Sequence, residues 1–272
     1  MIQLLKNVAK QLLPNAVSDY SIRRHEYMRC GFPPTQASRL AFSTRRYQAF
    51  GDSRLNLFPQ EITRSLRTCI DAGAHEGSWT EALLEFFHPE CVLLLECEPR
   101  LVGRLQKKFS STPSVRVIDA ALADVQGVGT FYQLRHPASS SLLQPRIETA
   151  REYQEKSWDV IGEVRVNKVT YDEVVSDQSE ISILKLDIQG AERGVLANSS
   201  AGLAKTKSVL LEVNFTAHYS DDAVFPELHS LMMEKGFGLY RLSSVYHRGG
   251  RALFADAVYV RETILSALQR SG

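Results

Sequence analysis

The stretch from Arg67 to Thr80, RTCIDAGAHEGSWT, constrains this chain more than any other. A short apolar run ending in an acid, Cys69-Ile70-Asp71, passes into Ala72-Gly73-Ala74-His75-Glu76-Gly77, and a helix-compatible segment follows from Trp79 to Phe87. Strand, tight turn and helix must therefore succeed one another with almost no slack. Gly73 allows the backbone to turn where a Cβ would clash, and Gly77 lets a ligand or the sheet approach the helix start. The first N–H groups of that helix have no partner within it and face whatever lies above the strand end. A carboxylate fixed there, Asp71, suits a ligand carrying an amine better than one carrying phosphates alone.

The glycine spacing separates cofactor classes. A dinucleotide fingerprint reads G-x-G-x-x-G, whereas here Gly73 and Gly77 sit four apart behind an acid. A second apolar run, Cys91–Glu96, leads to Cys97-Glu98-Pro99. Glu98 stands about where an acid at the end of the neighbouring strand grips ribose hydroxyls. Either piece alone is an ordinary turn with a surface acid; together they favour a nucleoside-type site.

From Leu66 onward strand and helix patterns alternate, which predicts a doubly wound, mostly parallel α/β sheet with helices on both faces. Strands are expected at Thr68–Asp71, Cys91–Glu96, Val115–Ile118, Gly127–Leu134, Val164–Val169 (an edge strand), Ile181–Asp187 and Ser208–Phe215. Helices are expected at Trp79–Phe87, Arg100–Phe109, Ala191–Ala197, Phe225–Lys235 and Glu262–Arg270, with a capping box at Thr170-Tyr-Asp-Glu173. Phe237–Leu242 and Ala257–Val260 read as a closing antiparallel hairpin. Asp187 ends a central strand that should lie beside the first, so that Asp187 and Asp71 face one crevice. Lys185 within that strand is unusual for a buried position and calls for an acid such as Glu192 or Asp71.

Asp71–Gly77, Glu98-Pro99, Ala120-Ala-Leu-Ala-Asp124 and Leu184-Lys-Leu-Asp-Ile-Gln-Gly-Ala-Glu192, in this order, resemble the FkbM family of S-adenosylmethionine-dependent methyltransferases. The resemblance spans roughly Ile70 to Arg261, and the 184–192 segment is its most specific part. It implies a Rossmann-like class I methyltransferase fold, a mostly parallel seven-stranded sheet, and S-adenosylmethionine as cofactor. Carried over residue by residue, the cofactor contacts are Asp71, Gly73, Ala74, His75, Gly77 and Thr80 around the first turn. To these it adds Glu98, Pro99, Asp119, Ala120, Ser140 and Asp187. Asp119 would meet the adenine amino group; Ser139 and Ser140 belong to a loop where the family carries serine. The family usually has Asn where this chain has His75. Imidazole also donates a hydrogen bond, so altered cofactor contacts are expected there.

Methyl transfer from a sulfonium is an in-line displacement with a good leaving group, so the enzyme chiefly aligns the reactants and excludes water. An alcohol acceptor also needs a base for its proton. Asp187, Glu212 and His218 are the candidates at the carboxyl edge, in that order. By the same resemblance the acceptor is a hydroxyl of a sugar, glycan or glycosylated metabolite. A nucleotide-dependent oxidoreductase on this fold, lacking the third glycine, and a non-catalytic binding module are the alternatives.

Composition sets the outer limits. An apolar fraction of 44% and a charged fraction of 23% are those of a globular protein, and a net charge of +1 gives no case for nucleic acid. The cysteines Cys30, Cys69, Cys91 and Cys97 form no C-x-x-C pair, so reduced core thiols in a cytoplasmic protein are expected, and no metal site. No apolar run is long enough to span a membrane, and the first residues lack a signal peptide's pattern. Residues 1–65 read as a helical extension ahead of the 66–272 domain. Its first amphipathic helix, Ile2 to Leu13, could pack on the domain, on the second subunit of a homodimer, or on a membrane surface. The arginines that follow, Arg54 among them, could cap the site and offer charge to an anionic substrate.

Overall fold

The computed structural model describes residues 53–146, 148 and 158–271. The N-terminal amphipathic helix, most of the arginine-rich segment, Cys30 and most of the charged segment 145–160 lie outside the described residues.

A 3-10 turn, Ser53–Leu57, and the short helix α1 (Gln60–Thr63) lead into β1 (Thr68–Ala72) and α2 (Ser78–Phe87). The next units are β2 (Cys91–Glu96) with α3 (Pro99–Lys108), then β3 (Val115–Asp119), β4 (Ala121–Leu122), β5 (Gly127–Leu134) and β6 (Val160–Val169). After α4 (Tyr171–Val174) come β7 (Ile181–Leu186), α5 (Glu192–Ala197), α6 (Ser200–Ala204) and β8 (Thr206–Asn214). The chain continues through α7 (Phe225–Glu234), β9 (Phe237–Leu242), β10 (Tyr246–Arg248), β11 (Arg251–Arg261) and α8 (Glu262–Ser271).

The main sheet runs β10-β11-β8-β7-β1-β2-β3, with β9 also paired to β11. It is parallel from β8 to β3, and antiparallel where β11 meets β8, β9 and β10. The expected hairpin of β9 and β11 is present, and the expected neighbouring of β7 and β1 holds. The strand count differs from seven. Tyr246–Arg248, expected as loop, turns back on Arg251–Phe254 through Gly249 and Gly250, both at positive φ, and makes an eighth strand. The expected edge strand Val164–Val169 belongs instead to a separate sheet, β4-β6-β5, and begins earlier, at Val160. Alternation alone cannot say which sheet a strand joins, because period-two burial is the same in either.

Strand parity divides the main sheet into two faces. Ile70, Leu93, Leu95, Leu184, Leu186, Val209, Leu211 and Val213 point toward α4–α7. Cys69, Val92, Ile183, Leu210, Val258 and Val260 point the other way, toward α2 and residues 53–66. Leu55, Leu57, Phe58 and Ile62 are buried in this second core. The last residues of the expected extension thus pack against the same sheet as the domain that follows, and the 65/66 boundary falls inside one core.

Candidate active site

The carboxyl edge of the sheet holds a cleft of about 720 Å³, a size that suits a nucleoside-bearing ligand. Its floor is the β1 turn, its walls the end of β2 and the start of α3, and its far side the loop after β5 together with Asp187–Gln189. Of the residues expected at the cofactor, Gly73, His75, Glu98, Pro99, Ala120, Ser140 and Asp187 line it.

The first turn is shaped by its neighbours. Gly73 sits at φ +72°, and a Cβ there would lie 1.9 Å from the Asp187 carbonyl oxygen. The turn and the β7 end therefore touch backbone to backbone. His75 also adopts a left-handed backbone, φ 51°, a region that short Asx side chains tolerate best. Its N–H donates to Glu96 Oε2 at 2.8 Å.

Several residues expected at the cofactor lie beneath the cleft. Asp71 is fully buried: Lys185 Nζ donates to its Oδ1 at 2.9 Å and the Thr80 hydroxyl to its Oδ2 at 2.7 Å. Asp71 and Thr80 are both fully buried, and neither lines the cleft. The register pairs Asp71 with Lys185, and odd-numbered parity puts both on the α2 face, where Thr80 waits. Of the two acids expected to meet Lys185, Asp71 is the partner. Gly77 begins α2 in the left-handed region, and a Cβ there would meet Leu105 of α3 and Phe109 just after it, so its glycine allows close packing of the two helices. Ala74 is buried in that same contact. Asp119 lies exposed at the end of β3, outside the cleft, and Ala120 and Ala121 line it instead.

Glu98 lines the cleft while capping α3: its Oε2 accepts from Leu101 N at 3.0 Å, and Gln133 Nε2 donates to Oε1 at 3.1 Å. Glu96, marked by no motif, is a further residue of this corner. It accepts the N–H groups of His75, Cys97 and Glu98, tying the β1 turn to the β2 corner, and burial raises its pKa despite those bonds. The apolar run into Glu96-Cys97-Glu98 carried this signal, since an acid at a buried strand end must find donors. Ser140 Oγ is occupied by Leu134 N–H, and Tyr219 Oη donates to Ser139 O and approaches Gln189 Oε1 at 2.9 Å. Cys97 lines the cleft as a neutral thiol, its pKa pushed up by burial. Among the described residues Cys69, Cys91 and Cys97 form no disulfide.

The base candidates do not share one wall. Asp187 lines the cleft; Arg54 Nη1 donates to its Oδ2 at 2.8 Å and Gln189 Nε2 to its Oδ1 at 2.9 Å. Burial alone would raise its pKa, but Lys185 and Arg54 outweigh it and hold the carboxyl well below the usual range. Glu212 sits beside Asp187 on the same sheet face, its pKa raised by burial and by Asp187, Glu192 and Asp256. His218 is buried against Trp158, with ring centroids 5.6 Å apart, and does not line the cleft.

Glu192 is buried and closes the 187–190 turn: Ile188 N and Gly190 N each donate to its carboxylate at 2.9 Å. Burial, reinforced by Asp222 and Asp187, still lifts its pKa to about 8. Between the ordinary value of 4.5 and about 8, the native chain keeps a proton that the unfolded chain has lost. Stability must then fall as pH rises through that window. Glu192→Gln is expected to remove this contribution, on the order of a few kcal/mol between the two ends of the window. Denaturant unfolding of both chains from pH 4.5 to 8 measures it; parallel curves would refute the assignment.

A parallel sheet with a glycine turn after its first strand, an acid corner after its second and a nucleoside-sized cleft between them is the Rossmann-like architecture of the class I methyltransferase fold. The Methyltransferase FkbM domain model matches residues 71–239. The chain belongs to the FkbM methyltransferase family. A relative, the 2-O-methyltransferase NoeI of Sinorhizobium fredii (strain NBRC 101917 / NGR234), is 25% identical over 169 residues, 57% of this chain and 64% of the relative. The match therefore spans less than two thirds of that relative's length. Among solved structures, the methyltransferase FkbM from Methylobacillus flagellatus KT has a TM-score of 0.46 at 13% identity, covering 71% of this chain and 44% of the other. The magnesium protoporphyrin IX methyltransferase of Synechocystis PCC 6803, with bound S-adenosylmethionine, has a TM-score of 0.45 at 13% identity, covering 79% and 78%.

The cleft fits the cofactor by the chemistry of its donors. Glu98 could accept from ribose hydroxyls, Ala120 and Ala121 leave room for a flat base, and the Gly73 turn with Asp187 would take the methionine end. When bound, S-adenosylmethionine supplies the electrophilic methyl group. Among the described residues no group of acids, histidines and cysteines could hold a metal, and no helix is long and apolar enough to cross a membrane.

Proposed function

We propose that this protein transfers the methyl group to a hydroxyl of a sugar, glycan or glycosylated metabolite. The observation that carries the reading is the placing of carboxylates at the carboxyl edge: Asp187 in the cleft and Glu212 beside it, where an alcohol would need a base. The 2-O-methyltransferase activity named for the NoeI relative supports it. On this reading Glu98 holds the ribose, Ser140 and Ala120 border the nucleoside, and Asp187 orients the methionine amine or the acceptor. The extension before residue 66 shapes the acceptor side, and the protein acts in the cytoplasm, as a monomer or a homodimer.

Calorimetric titration of the purified chain with S-adenosylmethionine and S-adenosylhomocysteine tests the cofactor site; heat from neither would remove it. Glu98→Ala is expected to weaken S-adenosylhomocysteine about tenfold, the scale of one lost charge-assisted hydrogen bond. An unchanged affinity would move the ribose contact elsewhere. Incubation of glycans and glycosylated metabolites with methyl-labelled cofactor, read by mass spectrometry, tests the acceptor class; label found only on nitrogen would refute it.

A further inference from the structure

Three carboxylates stand in a row across the sheet face that points toward residues 53–58. Asp256 of β11 pairs in register with Glu212 of β8. Leu186 pairs with Leu211, which sets Asp187 next to Glu212 from the other side. Arg54 reaches over this row: its Nη1 lies 2.8 Å from Asp187 Oδ2 and 3.8 Å from Asp256 Oδ1. The guanidinium is held there because Leu55 and Leu57, which follow it, are buried in the core. Both Asp187 oxygens are thereby occupied, one by Arg54 and the other by Gln189. Glu212, in the middle, accepts no side-chain hydrogen bond from any described residue. Arg54 and Asp256 lie on either side of residues 71–239, the span of the family match.

We propose that Arg54 is a positioning residue of the methyl-transfer site, which holds the two outer carboxylates and leaves Glu212 to take the acceptor's proton. The proposal rests on the O-methylation reading above. In the step it serves, the acceptor O–H bond breaks and its proton passes to the Glu212 carboxylate. The freed oxygen pair forms the bond to the methyl carbon, and the carbon–sulfur pair leaves on sulfur as a neutral thioether. A base must not be tied up by other donors, and Glu212 meets that condition better than Asp187, whose two oxygens accept from Arg54 and Gln189. The charged groups whose fields Glu212 feels are Asp187 at the β7 end, Glu192 of α5, Asp256 of β11 and Arg54 of the 3-10 turn; Tyr219 in the loop after β8 feels Glu212 in return.

The experiment uses the full chain, carbon-13 labelled at Asp and Glu side-chain carboxyls and saturated with S-adenosylhomocysteine, as wild type, Arg54→Ala, Arg54→Lys and Glu212→Gln. The signal missing from Glu212→Gln identifies that carboxyl. Arg54→Ala removes a positive charge that favours both ionised carboxylates, so the Glu212 and Asp187 titrations are expected to move to higher pH, with Arg54→Lys moving them back part of the way. With a hydroxyl acceptor, Glu212→Gln should lose roughly a hundredfold or more in rate. Arg54→Ala should shift the acid limb of the rate profile upward, while S-adenosylhomocysteine affinity stays close to wild type in both. Unshifted titrations in Arg54→Ala overturn the positioning role whether or not an acceptor is found, and a near-wild-type rate in Glu212→Gln overturns the base assignment. If the wild type methylates no hydroxyl at all, the O-methylation reading fails and the proton-transfer role with it, while the titrations still decide what Arg54 does to the row.

Discussion

Lys185→Met is expected to be the most destabilising single substitution in the site. It would leave the Asp71 carboxylate fully buried, with the Thr80 hydroxyl but without its cation. Breaking a buried ion pair from one side costs about 3–5 kcal/mol, because the remaining charge is stranded in a medium that solvates it poorly. For a chain of this size that corresponds to a fall of about 10 °C in melting temperature. The Lys185 ammonium also donates to the carbonyls of Gly73 at 3.1 Å and Ala72 at 3.4 Å, so the turn would loosen too. Removing both charges in Asp71→Asn with Lys185→Met should recover much of the loss, since an amide can still meet Thr80. Calorimetric melting of the three proteins decides the matter. A double variant no more stable than Lys185→Met alone would show that the ion pair is not the origin of the effect.

Gly73→Ala is expected to abolish cofactor binding and to destabilise the fold as well. The added methyl would overlap the Asp187 carbonyl oxygen at 1.9 Å, and backbone cannot rotate away as a side chain can. A non-glycine residue at φ +72° adds roughly 1–2 kcal/mol of strain on its own. The β1 turn must then part from the β7 end, opening the contact that forms one corner of the cleft. Titration with S-adenosylhomocysteine and a melting curve measure the two effects separately. Affinity within a few-fold of wild type would mean that the turn and Asp187 move as independent pieces. By contrast Gly103, on α3, has open space at its Cβ position, and Gly103→Ala should leave binding intact.

The two substitutions also show what was legible in the sequence. The β1 turn and its glycine were readable because a strand running straight into a helix leaves few other residues able to make the bend. The neighbouring of β7 and β1, and hence the meeting of Asp187 with Gly73, followed from the crossover pattern of parallel sheets. The direction of Asp71 was not readable. An acid at the end of a first strand serves equally as a ligand contact or as the partner of a buried cation, and the choice turned on Lys185, distant in sequence but opposite in register. The position of Asp119 was unreadable for a related reason: β3 is the edge of the parallel array, and its last side chain is exposed while the following alanines line the cleft. Glu96 was passed over for Glu98, although both act at the β2 corner, one knitting backbone and the other facing the cleft.

Local order in this protein was set by the sequence itself: where chain direction reverses, which segments are strand or helix, and which family's motifs they carry. These depend on glycine, proline and the period of apolar residues, all of which act over a few positions. Only the folded molecule decided which charges meet. Arg54, Lys185, Asp71, Glu212 and Asp256 come from four strands and a flanking turn, and their pairing depends on register, strand parity and burial. Electrostatic energy is set by distance in space and by access to water, and neither quantity is written along the chain.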